Sequence, residues 1–258
     1  SQQKERPELL IVPCTLSSSL VLEAKTLIED SLSEVGKARY IITDDEFSET
    51  RILASFARKV LNLDSSIHVQ FGEPLDCIGN VVDRDGTSLD PKGNPINRRE
   101  YITNKRGQIE IDEQRDQQYT NRLADSIIKS YRKNNIVLST HLVAFSAWTL
   151  LCDRFPRLDN VQRALLNEEE RTISKKTLLQ RIDDVHAGIQ QLVEQQQVLA
   201  NVPKHATSIL STALQQFSLY HRQPVLKAQT GQQLILNSRL ALYYGNRLSS
   251  YNLVWGQL

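Results

Sequence analysis

Tyr119, Leu123, Ile127 and Tyr131 recur at steps of four, a spacing that puts all four on one face of a helix. From about Glu113 onward the pattern is helical, whereas the first 112 residues are short apolar runs separated by turn formers. This change of period divides the chain. Residues 1–112 are expected to form an α/β region, and residues 113–258 a mainly α-helical domain. The chain is 258 residues with 40% hydrophobic and 24% charged residues, enough apolar side chain to bury a sizeable core and too much for a disordered segment. No apolar run approaches the roughly 20 residues that cross a bilayer.

Leu9-Leu10-Ile11-Val12 is a continuous apolar run closed by Pro13, which reads as a buried strand ending in a forced turn. Leu20, Leu22, Leu27, Ile28 and Leu32 suit an amphipathic helix stopped near Gly36, and a second helix capped by Asp44 or Asp45 runs through Phe56 and Val60. Ile67, Val69 and Phe71 alternate with polar residues as a strand does. Between Gly79 and Asp112, turn formers crowd together: Asp83, Asp85-Gly86, Asp90-Pro91, Gly93-Asn94-Pro95 and Gly107. That stretch is expected to be an exposed excursion with one or two short hairpins. Its carboxylates suggest a calcium loop, but Gly86 falls fourth from Asp83 where an EF-hand requires glycine at the sixth position.

In the second part, Ile136 to Leu151 is apolar on most sides and reads as a core helix. Ser174 opens a helix through Leu178, Ile182, Val185 and Ile189, His205 to Tyr220 another, and Ser238 a last one. Residues 224–237 hold two apolar runs around a glycine turn, a β-hairpin pattern. Helix, helix, hairpin is the order of a winged-helix module. No internal repeat is apparent. The chain has no Met, so a fragment or processed form of a longer protein is expected. Cys14, Cys77 and Cys152 form no CxxC pair and read as packed thiols in a reducing compartment.

Three segments, in this order, resemble the later part of the large glycerol-3-phosphate acyltransferases, the bacterial membrane-associated type and its mitochondrial relatives. They are Leu9 to Cys14, then Gln70-Phe71-Gly72-Glu73-Pro74-Leu75, then Leu240-Ala-Leu-Tyr-Tyr-Gly-Asn-Arg-Leu. Val12-Pro13 looks like the family's fourth acyltransferase motif, and Leu22-Glu23-Ala24 like the acidic position beyond it. The resemblance implies an α/β remnant of an acyltransferase domain followed by a helical domain. It implies substrate-binding roles for Val12, Pro13 and Glu23. The parent enzyme would transfer a fatty acyl group from acyl-CoA or acyl carrier protein to glycerol 3-phosphate in phospholipid biosynthesis. No cofactor or metal is expected. Peripheral contact with the cytoplasmic side of a bacterial inner membrane is carried over from the family.

The family's catalytic pair, a His followed five positions later by Asp, is missing. The residues five beyond the five histidines are Glu73, Ser146, Gln191, Leu210 and Leu226. In that chemistry the His is the general base on a substrate hydroxyl and the Asp orients it. The Phe-x-Glu-Gly-x-Arg-Ser-Arg phosphate motif is absent too, so no catalytic residue is expected here and the chain should be silent by itself. His68, His141 and His186 lack any local catalytic motif and read as packed or surface histidines. No phosphate-binding glycine loop occurs. Arg98-Arg99 and Lys105-Arg106 stand among acids that cancel their field.

The alternative is a non-catalytic interaction module or a winged helix binding nucleic acid, with Lys204, His205, Arg222 and Lys227 on phosphates. Charge argues against the nucleic-acid reading. Residues 134–258 carry only 12 basic against 8 acidic residues, and residues 1–133 carry 19 against 22. Only Gln215 and Gln216 offer base readout on the expected recognition helix.

Overall fold

The computed structural model describes residues 9–21, 24, 26–28, 67–104, 106–219, 221 and 223–253. About half of them are helical and the sheets are small, a mixed α/β architecture. The described residues divide into two compact units. One comprises residues up to Leu16 with Val69 to Asn135, the other Ser17 to His68 with Ile136 onward. This division follows contacts, whereas the expected boundary at 112/113 followed the change of secondary structure, and the first long helix does begin at Glu113. The two describe different properties of the chain.

Strand β1 (Cys14–Ser18) pairs with β2 (Ile67–Phe71); the chain passes from the first unit into the second within β1 and returns within β2. The strand expected at Leu9–Val12 is displaced. Only Ile11 bridges, exchanging 2.8 Å hydrogen bonds with Leu75 in both directions, while Leu9, Leu10 and Val12 are exposed. A continuous apolar run specifies burial without specifying its partner, and here the ladder starts after Pro13, which has no N–H to give it. Along β2 the alternation is present, but Ile67, Val69 and Phe71 are all on the exposed side.

The excursion is a three-stranded antiparallel meander of β3 (Val81–Val82), β4 (Ser88–Leu89) and β5 (Pro95–Ile96), followed by a 3-10 turn at Arg98–Ile102. Val82 faces Ser88, and Ser88 faces Ile96. A short repeat builds it, contrary to the expectation of none. Asp76, Asp83, Asp90 and Asn104 each accept, on Oδ1, the N–H groups two and four residues ahead. The third residue ahead is in each case glycine at positive φ, namely Gly79, Gly86, Gly93 and Gly107. The side chain thus closes a turn whose fourth residue needs the left-handed region. Asn97, at the same seven-residue spacing, caps the 3-10 turn. Helix α1 (Glu113–Asn134) is capped by Asp112 and lays its half-buried face, including Tyr119, Leu123 and Ile127, along this unit.

The second unit opens with a strand where a helix was expected: β6 (Ile136–Leu138) is fully buried before helix α2 (Ser139–Arg154) begins. The correction has a tertiary cause, because β6 runs parallel to β8 (Leu199–Asn201), a partner sixty residues away. Helices α3 (Asn160–Ala164), α4 (Lys175–Glu194) and α5 (Ala206–Phe217) follow, then α6 (Ser238–Gly245), which runs on into a 3-10 segment at Asn246–Tyr251. Strands β7 (Thr172–Ser174), β9 (Leu226–Gln229) and β10 (Gln233–Leu236) make an antiparallel sheet with β10 in the middle. Helix α2 is the centre of the core. Leu142, Val143, Ala147 and Leu151 are fully buried among Leu178, Ile182, Ile209, Phe217, Tyr244 and Leu248 of the surrounding elements. Ala24 and residues 26–28 are helical, but the remainder of that expected helix, and the one from Asp44 to Val60, lie outside the described residues.

Candidate functional site

Of the three residues assigned to substrate, Pro13 is buried, Val12 is half exposed at 48%, and Glu23 lies outside the described residues. Within the first unit, the Pro13 carbonyl accepts the Gly72 N–H at 2.8 Å, and Ile11 pairs with Leu75 beyond it. The Val-Pro and Phe-Gly-Glu-Pro segments are therefore side by side. Thr15 Oγ1 donates to the Asn134 carbonyl at 2.9 Å and ties the strand to the end of α1.

Next to this pair sits Asp76, 1% exposed. Its carboxylate accepts Ile78 and Asn80 N–H on Oδ1, and Asn80 Nδ2 and Ser88 Oγ on Oδ2. Burial pushes its pKa up, but the bonds from Asn80, Ser88 and Ile78 together outweigh that and hold it below the usual carboxylate range. Arg122 of α1 donates to Asn80 Oδ1, so the cluster joins helix and meander. With four donors on two oxygens, Asp76 has no role left as a base and acts as a structural hub.

In the second unit, Ser17, Ser18 and Val21 are hydrogen-bonded to three other elements. Ser17 Oγ accepts the Ile136 N–H at 3.2 Å. His141, in the first turn of α2, accepts the Leu138 N–H on Nδ1 at 3.3 Å and sits 3.1 Å from the Ser18 carbonyl through Nε2. An unprotonated Nδ1 makes Nε2 the donor. Burial, with the Arg247 charge adding to it, depresses the His141 pKa to about 4. The Tyr244 hydroxyl accepts the Val21 N–H at 3.0 Å and pairs with His221 Nε2 at 2.9 Å. Burial lowers His221 to about 4 and raises the Tyr244 phenol well above its ordinary value. The third resembling segment, which contains Tyr244, thus meets the stretch that follows the first.

Of the two readings open for His141, packed or surface, the structure shows the packed one; its contact with Ser18 has no sequence signal, since 123 residues separate the pair. His186 is buried as well, although Asp183 and Asp184 lie close to it in sequence. Cys14 and Cys77 are exposed rather than packed, and Cys152 is half-buried. Among the described residues no group of His, Cys, Asp and Glu is arranged to hold a metal, and no helix is long and apolar enough to cross a membrane. No protein-family model, curated protein or solved structure matches the chain.

Proposed function

We propose that this chain is the portion following the catalytic motifs of a glycerol-3-phosphate acyltransferase, the parent enzyme moving a fatty acyl group from acyl-CoA or acyl carrier protein to glycerol 3-phosphate. The observation that carries this reading is that the first two resembling segments pair with each other within the first unit, and that the third meets Val21 within the second. Pro13 pairs with Gly72 in one unit, and Val21 with Tyr244 in the other. The first unit is then the end of an acyltransferase α/β domain that contributes Val12 and Pro13 to substrate binding, the second is its helical companion, and Glu23 is assigned to substrate from the resemblance alone. Peripheral contact with the inner face of a bacterial membrane belongs to the same proposal.

The test begins with the parent reading frame upstream of Ser1, searched for His-x4-Asp and then Glu-Gly-x-Arg. The intact protein is then assayed for transfer of labelled acyl groups from acyl-CoA and from acyl carrier protein to glycerol 3-phosphate. Both elements and glycerol-dependent product support the reading. Absence of both elements, or an intact protein that transfers nothing, ends it.

A winged-helix module that binds nucleic acid is the second reading, favoured by the strand order β7-β10-β9 with a β9–β10 hairpin. Its chemistry is poor. The exposed face of α5 offers Thr207, Ser208, Ser211 and Gln215, with no cation for base edges or phosphates. Lys204, His205 and Lys227 are exposed, and Arg222 lies outside the described residues. Duplex binding that weakens steeply with salt would favour this reading.

A further inference from the structure

Strands β1 and β2 alternate as a two-sided sheet does, but in the first unit their polarity is reversed. Thr15 donates to the Asn134 carbonyl, and a β-carbon at Gly72 would meet Ser130 and Asn134, so this side of the ladder lies against α1. Gln70, half-buried, shares the Gly72 side by the same alternation. The opposite side carries Cys14 and Leu16 of β1 with Val69 and Phe71 of β2. All four are exposed, Leu16 at 57% and Phe71 at 68%. A sheet with one face in water turns its polar side chains to the water. Here the polar face is covered and the apolar one is bare, the mark of an interface. The sheet is also short: among the described residues β1 and β2 pair only with each other, and two strands alone are marginal in water.

We infer that this face is the docking surface for the part of the parent chain that precedes Ser1 and carries the catalytic motifs, an assignment that rests on the acyltransferase reading above. The size of the face favours a tethered occupant. Four side chains offer less than the roughly 800 Å² per partner that a stable association of separate chains buries. A covalently linked segment needs no such area, because the linkage sets its effective concentration. Position favours the same occupant. Leu9, Leu10 and Val12 are exposed and lead directly into β1, so a chain that precedes them arrives beside the face. None of the four side chains is charged, which suits the apolar packing of a domain interior better than the rim of a transient complex. Docking here would bring the catalytic portion against the strand whose start, Val12-Pro13, is assigned to substrate.

The experiment labels Cys14, which lies on the face itself. The native 258-residue chain and the intact parent protein are treated with N-ethylmaleimide, and the Cys14 peptide is quantified by mass spectrometry. Cys14 is expected to react readily in this chain and about tenfold more slowly in the parent, where the face must open first. Phe71→Glu in the parent should restore fast labelling, while in this chain it leaves the urea midpoint unchanged because the ring is exposed. Should that variant not fold in the parent, the wild-type comparison decides alone. Equal Cys14 rates in this chain and in a parent that transfers acyl groups overturn the docking and leave the acyltransferase reading standing. A Cys14 already unreactive in this chain means that the chain covers its own face, and one that becomes unreactive as chain concentration rises means that a second copy does. Either result overturns the assignment. An upstream frame without His-x4-Asp and Glu-Gly-x-Arg removes the acyltransferase reading and the docking with it, and that is known before any labelling.

Discussion

Gly72 donates its N–H to the Pro13 carbonyl at 2.8 Å, and any side chain at this position would force Ser130 to move. A β-carbon there would collide with Ser130 Oγ and approach Asn134 Nδ2 to 3.1 Å, both on α1. The absence of a side chain at Gly72 thus lets α1 pack closely over the Pro13–Gly72 pair.

Gly72→Ala should destabilise the protein by about 1–3 kcal/mol, the usual cost of overpacking. Ser130→Ala placed in the same chain should recover much of that, since it removes the colliding oxygen. Urea midpoints of the two single variants and the double variant check this. Strict additivity would mean the collision is not the cause.

Gly245→Ala should cost more, about 2–4 kcal/mol. Its β-carbon would lie 2.9 Å from Phe145 Cα and 3.0 Å from Phe145 N, and a helix backbone cannot turn aside as a side chain can. Thermal denaturation should show a drop larger than that of Gly72→Ala, and an unchanged midpoint would refute the close crossing of α2 and α6.

Asp76→Ala leaves two backbone N–H groups, an amide and a hydroxyl without their acceptor. A loss of about 2–4 kcal/mol is expected, below the sum of the bonds because water will reach some of the donors. Limited proteolysis should then cut faster within residues 83–107. A cleavage rate equal to wild type would show that the meander does not depend on this carboxylate.

Stability should fall as the medium is acidified from pH 6.5 toward 4. His141 and His221 have folded pKa values of about 4 against an ordinary 6.5 when unfolded. Between those values the unfolded chain binds more protons, so protonation pulls the equilibrium toward it. The slope is up to about 1.4 kcal/mol per pH unit for each histidine, absent above 6.5 and exhausted below 4. Urea midpoints at pH 7.5, 6 and 5 check it, and His221→Gln should reduce the slope. A flat response over this range would contradict the neutral, buried state of both rings.

What could be read from sequence was local. The period of four at Tyr119 to Tyr131, the helix start at Ser174 and the glycine turn near 231 are each set by neighbours in sequence, although the Ser174 side chain makes no capping bond. Leu9–Val12 and Ile136–Leu138 were misread for a shared reason. Their states depend on Leu75 and on β8, and an apolar run looks the same whichever partner it meets. The Asx turns were seen as turn formers, but their repeat shows only when the side-chain acceptors are followed. Val21 and Tyr244 lie 223 residues apart, a separation at which no spacing rule operates.

That separation has a consequence for synthesis. A nascent chain released as far as residue 200 carries α2, α4 and β7 but lacks the phenol that anchors Val21 and both β9 and β10, the strands that complete the sheet with β7. Long-range contacts of this kind close late and slowly. For most of its translation the helical unit would present an unclosed sheet and an untethered strand exit, and it becomes a finished body only when its last helix leaves the ribosome.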